Sequence, residues 1–271
     1  MCAAVKSGCP PPLPDPETEK TMAFNKNSNG YTFLFAISMV VLVGSILAYM
    51  SLSLKPLQKA NEAEKKMMNI LGAIGVPSER GAVKPEFAKY VTERVSIDSE
   101  GRRVNSMSGD VNPLDKSDPF NIDVQKDFRS KAPASELNFP LFVCEKDGQD
   151  LYVVPVVGKG LWGPIWGFVA LESDMETIYG AVFDHKTETP GLGAEIKDIP
   201  FQEKFNREDD VKKIKGVTPH FAVVKSGLPT DEYSVDGITG GTITSKGVGE
   251  MVDRTMGIYL KYFQSAPKAQ K

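Results

Sequence analysis

Residues 139–186 decide the fold, and they read FPLFVCEKDGQDLYVVPVVGKGLWGPIWGFVALESDMETIYGAVFDHK. Short runs rich in β-branched and aromatic residues alternate there with turn residues, a pattern typical of β-strands. The runs cover residues 139–145, 151–157, 165–171 and 177–186. Because the connections between them are too short for a helical crossover, we expect neighbouring strands to pair antiparallel. We therefore predict an α+β fold with a mostly antiparallel sheet and flanking helices, and not a doubly wound parallel sheet.

Weaker patterns on either side of these strands predict the flanking elements. We expect a short helix near residues 85–90, a helix at 195–205 and a further strand at 221–225. A C-terminal helix is predicted to begin near Ser245, because mostly apolar residues then recur at helical spacing. These residues are Val248, Met251, Val252, Thr255, Met256, Tyr259 and Phe263. Residues 99–135 show little periodicity and are interpreted as loop-rich.

An apolar run near the N-terminus is long enough to cross a membrane. No charged residue occurs from residue 27 to residue 54, and a membrane-spanning helix needs about 20 apolar residues. A signal peptide has an apolar core of only about 7–15 residues, so we favour an uncleaved transmembrane helix at 30–54. The run contains no acidic residue, and it therefore has no feature of a Na+ path.

The other boundaries follow from composition. Residues 1–29 are polar and rich in proline, so we predict a disordered extension, within which Met22 is an alternative start of translation. Residues 55–76 carry apolar residues at helical spacing and are predicted to form a stalk helix that packs on the next domain. That domain is expected at 77–264, followed by a short tail at 265–271. By the positive-inside rule, the lysines that follow the apolar run would place the domain in the cytoplasm. They are Lys55, Lys59, Lys65 and Lys66.

Composition excludes several classes of function. The formal net charge is -3 and we find no basic stripe with interleaved aromatic residues, so nucleic-acid binding is not expected. The cysteines, at Cys2, Cys9 and Cys144, have no Cys-x-x-Cys spacing. The histidines, His185 and His220, have no clustered partners. We therefore expect no metal site, no disulfide framework and no catalytic residue in this chain.

The most informative segment for function is residues 236–245, which read DGITGGTITS. One interpretation is a β-hairpin, since a Gly-Gly turn between β-branched residues is a good hairpin pattern. The helix predicted after it favours a second interpretation, a turn that leads into a helix N-terminus, where free N–H groups and the helix dipole suit phosphate. The segment offers glycines that allow close approach of a ligand, several hydroxyls and one neighbouring cation. These residues are Thr239, Gly240, Gly241, Thr242, Thr244, Ser245 and Lys246.

The spacing of this segment fits neither the G-x-G-x-x-G motif nor the P-loop motif for nucleotides. From Asp236 to Thr244 it resembles instead the flavinylation motif of FMN-binding domains, D-x-x-[ST]-G-[AG]-T-x-[ST]. The resemblance implies that a flavin transferase uses FAD to attach FMN covalently to Thr242 through a phosphoester, with release of AMP. Gly241 stands where many members of that family have alanine.

A wider resemblance, from about residue 22 onward, is to the family of the C subunit of the Na+-translocating NADH:quinone reductase. The matching stretches include LQKAN at 57–61, GKGLWG at 158–163 and ETPGLG at 188–193. The family implies a single-pass protein of the bacterial inner membrane that relays electrons together with the other proteins of a multi-subunit respiratory complex. It also implies an FMN-binding domain outside the cytoplasm. This opposes the bias of the lysines, and we adopt the orientation that the family implies.

The same resemblance adds candidate flavin contacts outside the motif. In the loop at 188–193, Glu188 and Thr189 would offer polar groups and Leu192 would pack on the flavin ring. Trp162 is a further candidate for packing near the ring. From the residues alone, the loop is equally a plain turn and the tryptophan a core residue. Two other functions stay open: the G subunit of the sister Rnf complex, with ferredoxin and NAD, and a membrane-anchored scaffold without a redox centre.

Overall fold

The computed structural model describes residues 28–130, 133–206, 210–214 and 220–265. Residues 1–27 of the predicted disordered extension and residues 266–271 of the predicted tail lie outside this part of the chain. The chain divides into two units, Met1–Lys55 and Pro56–Lys271. Every strand among the described residues belongs to the second unit.

Helix α1 (Asn29–Ala73) contains the apolar run. Its most apolar stretch has a mean hydropathy of 2.4 and is 0% buried, so the helix is long and apolar enough to cross a membrane. The sequence predicts two elements, at 30–54 and 55–76, whereas the structure assigns both to one helix. Pro56 lies inside this helix at the start of the second unit, where its missing N–H removes one main-chain hydrogen bond. The helix ends before Gly75, whose φ of +68° is the left-handed conformation that commonly terminates helices.

Within the part of the chain that the structure describes, six strands form one antiparallel sheet in the order β2-β1-β3-β4-β5-β6. They are β1 (Val91–Ile97), β2 (Arg103–Met107), β3 (Phe139–Lys146), β4 (Gln149–Lys159), β5 (Pro164–Leu171) and β6 (Ile178–His185). Strands β3 to β6 pair consecutively, as their tight connections predict. A second sheet is a short parallel pair, β7 (Ala222–Val224) and β8 (Ser234–Asp236). The predicted α+β fold with a mostly antiparallel sheet is confirmed.

The described residues of the second unit contain four further α-helices. They are α2 (Val83–Tyr90), α3 (Val124–Arg129), α4 (Ile199–Gln202) and α5 (Thr242–Ser265). The single helix predicted at 195–205 is instead three short pieces, with 3-10 turns at Gly193–Lys197 and Glu203–Phe205 on either side of α4. Asp198 separates the first two pieces, because its backbone is extended, with φ −85° and ψ 146°. Pro200 lies in the first turn of α4, where a missing N–H costs no hydrogen bond within the helix.

Strands β1 and β2 are the main elements that the sequence does not predict. Residues 99–135 are interpreted as loop-rich, but both β2 and α3 lie within them. Strand β1 lacks a clear apolar pattern because Glu93 and Arg94 interrupt it. Arg94 is nevertheless completely buried, since its guanidinium forms an ion pair with the buried carboxylate of Asp118.

Apolar side chains cover both faces of the large sheet. Adjacent residues of β4 point to opposite faces, and Val153 and Val154 accordingly belong to different clusters. The Val153 cluster includes residues from the second-unit part of α1 and from α2, namely Met67, Ile70, Leu71, Val83 and Phe87. The Val154 cluster includes residues of α5, namely Val248, Met251, Val252, Met256 and Tyr259. This packing holds α5 against the sheet and so determines where its first turn lies.

Candidate functional site: a glycine turn at the N-terminus of α5

Residues 236–245 form the end of β8, a tight turn and the start of a helix. Gly240 has a φ of +76°, which glycine adopts without steric strain. The Gly241 N–H donates to the Ile238 carbonyl at 3.0 Å, which closes the turn. Helix α5 begins directly afterwards. The hairpin interpretation is therefore wrong, and the alternative of a turn that leads into a helix is confirmed.

The first turn of α5 has main-chain N–H groups that point along the helix axis, away from the body of the helix. The helix begins at Thr242, three residues before the predicted Ser245. Its first hydrogen bond runs from the Ser245 N–H to the Gly241 carbonyl at 2.9 Å. The N–H groups of residues 242–244 precede this bond and have no acceptor within the helix. Together with the positive end of the helix dipole, these groups suit a phosphate.

Two hydroxyl side chains of this segment are turned inward. The Thr244 hydroxyl donates to Oε2 of Glu188 at 2.5 Å. The Ser245 Oγ accepts a hydrogen bond from the Ile238 N–H at 3.0 Å. Both residues are 2% exposed. Neither hydroxyl is therefore free to meet a ligand in this conformation.

The other two hydroxyls of the segment, those of Thr239 and Thr242, belong to exposed residues. Thr239 donates to the Ser226 Oγ at 2.9 Å. Among the residues that the structure describes, the Thr242 hydroxyl has no hydrogen-bond partner. Lys246 follows Thr242 by four residues and so lies on the same helix face, where its ammonium is 3.7 Å from the Glu250 carboxylate. Thr242 is thus the exposed hydroxyl that has no hydrogen-bond partner among the described residues, and it lies next to an exposed cation.

Asp236, the first residue of the motif, connects the turn to neighbouring segments through hydrogen bonds. Its Oδ1 accepts a hydrogen bond from the Gly227 N–H at 2.9 Å. The Lys204 ammonium lies 3.3 Å from Oδ2 and donates to the main-chain oxygen of Asp236 at 3.0 Å. Because Gly227 follows Ser226, the acceptor of the Thr239 hydroxyl, these contacts hold the neighbouring loop against the glycine turn.

Glu188 lies between β6 and the 3-10 turn at Gly193–Lys197 and is 5% exposed. Its Oε1 accepts hydrogen bonds from the N–H groups of Trp162 at 2.8 Å and Gly163 at 3.1 Å, while Oε2 accepts from Thr244. Burial alone would raise the pKa of Glu188, but the hydrogen bonds from Thr244 and from the main chain at 161–163 outweigh it and lower the pKa below its ordinary value. The carboxylate is ionised at neutral pH and joins three segments of the chain.

Three glycines allow these segments to approach one another closely, because none of them has a Cβ. A Cβ on Gly160 would lie 2.6 Å from Oε1 of Glu188, and a Cβ on Gly193 would lie 2.8 Å from Oε2. A Cβ on Gly240 would lie 2.6 Å from Cδ2 of Leu192. Carbon atoms do not approach other heavy atoms so closely without displacing them. The close fit between the loop at 188–193 and the turn at 238–242 therefore depends on glycine. We call this turn the acceptor turn, after the acceptor threonine of the motif that it resembles.

Apolar side chains are exposed on all three of these segments. Trp162 is 67% exposed, Ile243 59% and Leu192 42%. Thr189 is also exposed, and its carbonyl accepts hydrogen bonds from the N–H groups of Leu192 and Ala194 at 3.2 and 3.1 Å. Ile243 could not be singled out from the sequence, because its outward direction depends on where the helix begins. Exposed apolar side chains of this kind suit a planar aromatic ligand.

The described residues contain no group of three or more His, Cys, Asp or Glu side chains that could hold a metal ion. Cys144 is a buried free thiol, and burial raises its pKa to about 12. A thiol in that state is a poor nucleophile. His185 accepts a hydrogen bond through Nδ1 from the Glu188 N–H at 3.2 Å.

Comparisons with known proteins point to the same region. A family model described as an FMN-binding domain matches residues 160–257. The chain is 30% identical over 247 residues to the C subunit of the Na+-translocating NADH-quinone reductase of Vibrio anguillarum, covering 87% of this chain and 93% of that protein. A crystal structure of the C subunit of this reductase from Parabacteroides distasonis matches with a TM-score of 0.66 and 38% identity, over 79% of this chain and 98% of that one. NqrC of Shewanella oneidensis matches with a TM-score of 0.55 and 26% identity, over 77% and 96%.

The likeness is not confined to the cofactor motif, because it covers almost the whole length of these relatives. The resemblance inferred from the sequence is thereby confirmed. The chain belongs to the family of the C subunit of the Na+-translocating NADH-quinone reductase, an oxidoreductase complex.

Proposed function

We propose that this chain is an electron-relay subunit of a Na+-translocating NADH:quinone reductase and carries FMN as a phosphoester on Thr242. One observation supports the attachment most strongly. Of the four hydroxyls in segment 236–245, that of Thr242 is exposed and has no partner among the described residues, whereas the other three are bonded within the protein. The matched family model, an FMN-binding domain, supports the cofactor.

The acceptor turn fits the phosphate of FMN. The N–H groups of residues 242–244 and the helix dipole would hold the phosphate oxygens, and Lys246 would add positive charge from the same helix face. Gly240 and Gly241 keep the approach free of side chains. Three hydroxyls already engaged within the protein would support the turn and would not bind the phosphate directly. They belong to Thr239, Thr244 and Ser245.

The exposed side chains beside the turn fit the isoalloxazine ring. Trp162 and Leu192 are proposed to pack on the ring, and Thr189 to offer a polar group at its edge. Ile243 joins this set, because it is exposed and adjacent to the acceptor. Such a half-open surface would hold the ring and still leave part of it accessible for electron exchange with a neighbouring centre.

Attachment would be a phosphoryl-group transfer without any change of oxidation state. The Thr242 oxygen forms a bond to the phosphorus on the FMN side of FAD, the phosphoanhydride bond breaks, AMP leaves, and the hydroxyl proton passes to a base. No carboxylate or imidazole bonds to Thr242 among the described residues, so the base and any metal would come from a flavin transferase. This chain would contribute an accessible hydroxyl and a shaped phosphate site.

When bound, FMN supplies one-electron transfer chemistry, while the protein positions it and controls its access to solvent. Electrons would pass between this flavin and redox centres in the other proteins of the membrane complex. Helix α1 would anchor the chain in the lipid of the bacterial inner membrane. We place the FMN-binding domain on the extracytoplasmic side, following the family and against the bias of the lysines after the span.

The mass of the intact full-length chain tests the attachment. When the chain is expressed with a flavin transferase and purified in detergent, the wild type should gain the mass of one FMN less one water, and Thr242→Ala should gain none. Thr239→Ala is the matched control, because its hydroxyl lies in the same turn but donates to Ser226; it should keep the flavin. Covalent FMN that persists in Thr242→Ala would overturn the assignment of the acceptor.

A further inference from the structure

Glu188 links three segments of the proposed flavin site through one carboxylate. Oε1 holds the turn at 161–163, which carries the exposed Trp162, and Oε2 holds Thr244 in the first turn of α5. The third segment is the loop that contains Glu188 itself and leads to Leu192. All three segments bear side chains or main-chain groups proposed to meet the flavin.

The carboxylate has little capacity left for a ligand. A carboxylate accepts about four hydrogen bonds, and protein donors at 2.5–3.1 Å already approach both oxygens. Gly160 and Gly193 lie so close to the two oxygens that even a Cβ at either position would collide with them. Glu188 is also 5% exposed. The Glu188 carboxylate is therefore surrounded by protein groups at both of its oxygens.

The hydrogen bond that Thr244 donates to Glu188 is coupled to the direction of Thr242 by the helix geometry. Successive residues of an α-helix are rotated by about 100° around its axis, so side chains two positions apart point in nearly opposite directions. Thr244 is buried and points to Glu188, whereas Thr242 is exposed. A rotation of the first turn that released Thr244 from Glu188 would therefore also turn the Thr242 hydroxyl away from solvent.

We propose that Glu188 is a positioning residue for flavin attachment, which acts through Thr244 to keep the acceptor hydroxyl facing outward and does not touch the flavin. The inference rests on the proposed attachment at Thr242. It gives Glu188 a different role from the direct flavin contact expected from the sequence. The role depends on the hydrogen bond rather than on the negative charge, and this distinction is open to experiment.

Four single variants of the full-length chain distinguish a role of the Glu188 hydrogen bond from a role of its negative charge. Each variant is incubated with purified transferase and FAD, and the initial rate of FMN addition is measured from the intact mass. Thr244→Val and Glu188→Ala break the bond and should each slow attachment about tenfold, because losing a hydrogen bond to a buried charged group shifts an equilibrium by about that factor or more. Thr244→Ser keeps the hydroxyl. Glu188→Gln can also keep the bond, since its amide nitrogen can donate to Thr244 while its oxygen accepts from the turn at 161–163. Both conservative variants should stay within about threefold of the wild type.

The combined variant Glu188→Ala with Thr244→Val should be no slower than either single variant, because both changes remove the same interaction. Two results would overturn the inference: a Glu188→Gln rate as low as that of Glu188→Ala, which would make the charge the important property, or a Thr244→Val rate equal to the wild type. A wild type that gains no FMN defeats the proposed function itself. A wild type that gains FMN, with all variants equally fast, defeats only the role of Glu188.

Discussion

Replacement of Asp118 by asparagine should strongly destabilise the second unit. Asp118 is 1% exposed and Arg94 is 0% exposed. Two parallel hydrogen bonds join them, from Nε to Oδ1 at 3.0 Å and from Nη2 to Oδ2 at 2.9 Å. The same carboxylate accepts from the Phe120 N–H at 2.8 Å, and Nη1 of Arg94 donates to the Gly109 carbonyl at 2.7 Å. The pair thus attaches the segment between β2 and α3 to strand β1.

The size of the effect follows from leaving a buried guanidinium without its counter-charge. Removing one partner of a buried ion pair costs about 3–5 kcal/mol, out of a total stability of about 5–15 kcal/mol. In a domain of this size 1 kcal/mol shifts Tm by about 2–4 °C, so Asp118→Asn should unfold about 10 °C below the wild type. Glu100→Gln is the control, because its ion pair with Lys261 is exposed and 3.7 Å long, and such pairs contribute little.

Thermal unfolding of the full-length chain in detergent, followed by near-UV circular dichroism, measures both variants. If Asp118→Asn lowers Tm no more than Glu100→Gln does, the reasoning about the buried pair is refuted. A double variant, Arg94→Met with Asp118→Leu, tests the cause of the loss. It should recover much of the stability, because it removes the uncompensated charge together with its partner.

Two further predictions concern the pKa of Lys66 and the acceptor turn. Burial lowers the pKa of Lys66 from 10.5 to about 8, although Asp123 and Asp118 oppose the shift. Between these two pH values the unfolded chain binds more protons than the folded one. The free energy of unfolding of the wild type should therefore rise by about 2 kcal/mol from pH 7 to pH 10, relative to that of Lys66→Met. Urea unfolding at a series of pH values measures this, and the same pH dependence in both proteins would contradict it. Gly240→Ala should lower stability by about 1–2 kcal/mol through its positive φ and should also slow flavin attachment, because its Cβ would displace a neighbouring side chain. Gly191→Ala is the control, because Gly191 has a similar positive φ but open space around its Cβ. Equal attachment rates in the two variants would show that the collision of the new Cβ at position 240 with its neighbour is unimportant.

The sheet could largely be predicted from the sequence because its central strands are neighbours along the chain. In residues 139–186 each strand finds its partner across a short turn, and a local pattern is then sufficient. Strand β1 could not be recognised in the same way. Arg94 interrupts its apolar pattern, and the residue that makes burial of this arginine possible, Asp118, lies 24 positions away. Spacing alone does not reveal such a partner.

The candidate site shows the same division between local and long-range information. The motif indicates the acceptor turn and Thr242, because its residues are contiguous. It does not indicate which hydroxyls face outward, so Thr244 and Ser245 are grouped with Thr242 when only the sequence is considered. Because α5 begins at Thr242 and not at Ser245, all three residues take up helical rotation, and two of them turn inward. The partner of Thr244, Glu188, is 56 residues distant.

Within the proposed function, these inward bonds explain how one threonine can be selected without being chemically activated. The segment carries four hydroxyls of similar intrinsic reactivity, and no base among the described residues bonds to Thr242. Selection therefore has to come from access to the hydroxyls and from the hydrogen bonds that already engage three of them. The buried carboxylate of Glu188 accepts a hydrogen bond from the Thr244 hydroxyl, and the Ser226 Oγ accepts one from the Thr239 hydroxyl. The Ile238 N–H donates to the Ser245 Oγ. Packing of α5 on the sheet and the bond from Thr244 to Glu188 together fix the rotation that leaves the unbonded hydroxyl of Thr242 in solvent. The fold itself would therefore specify the attachment position, while the transferase supplies the chemistry.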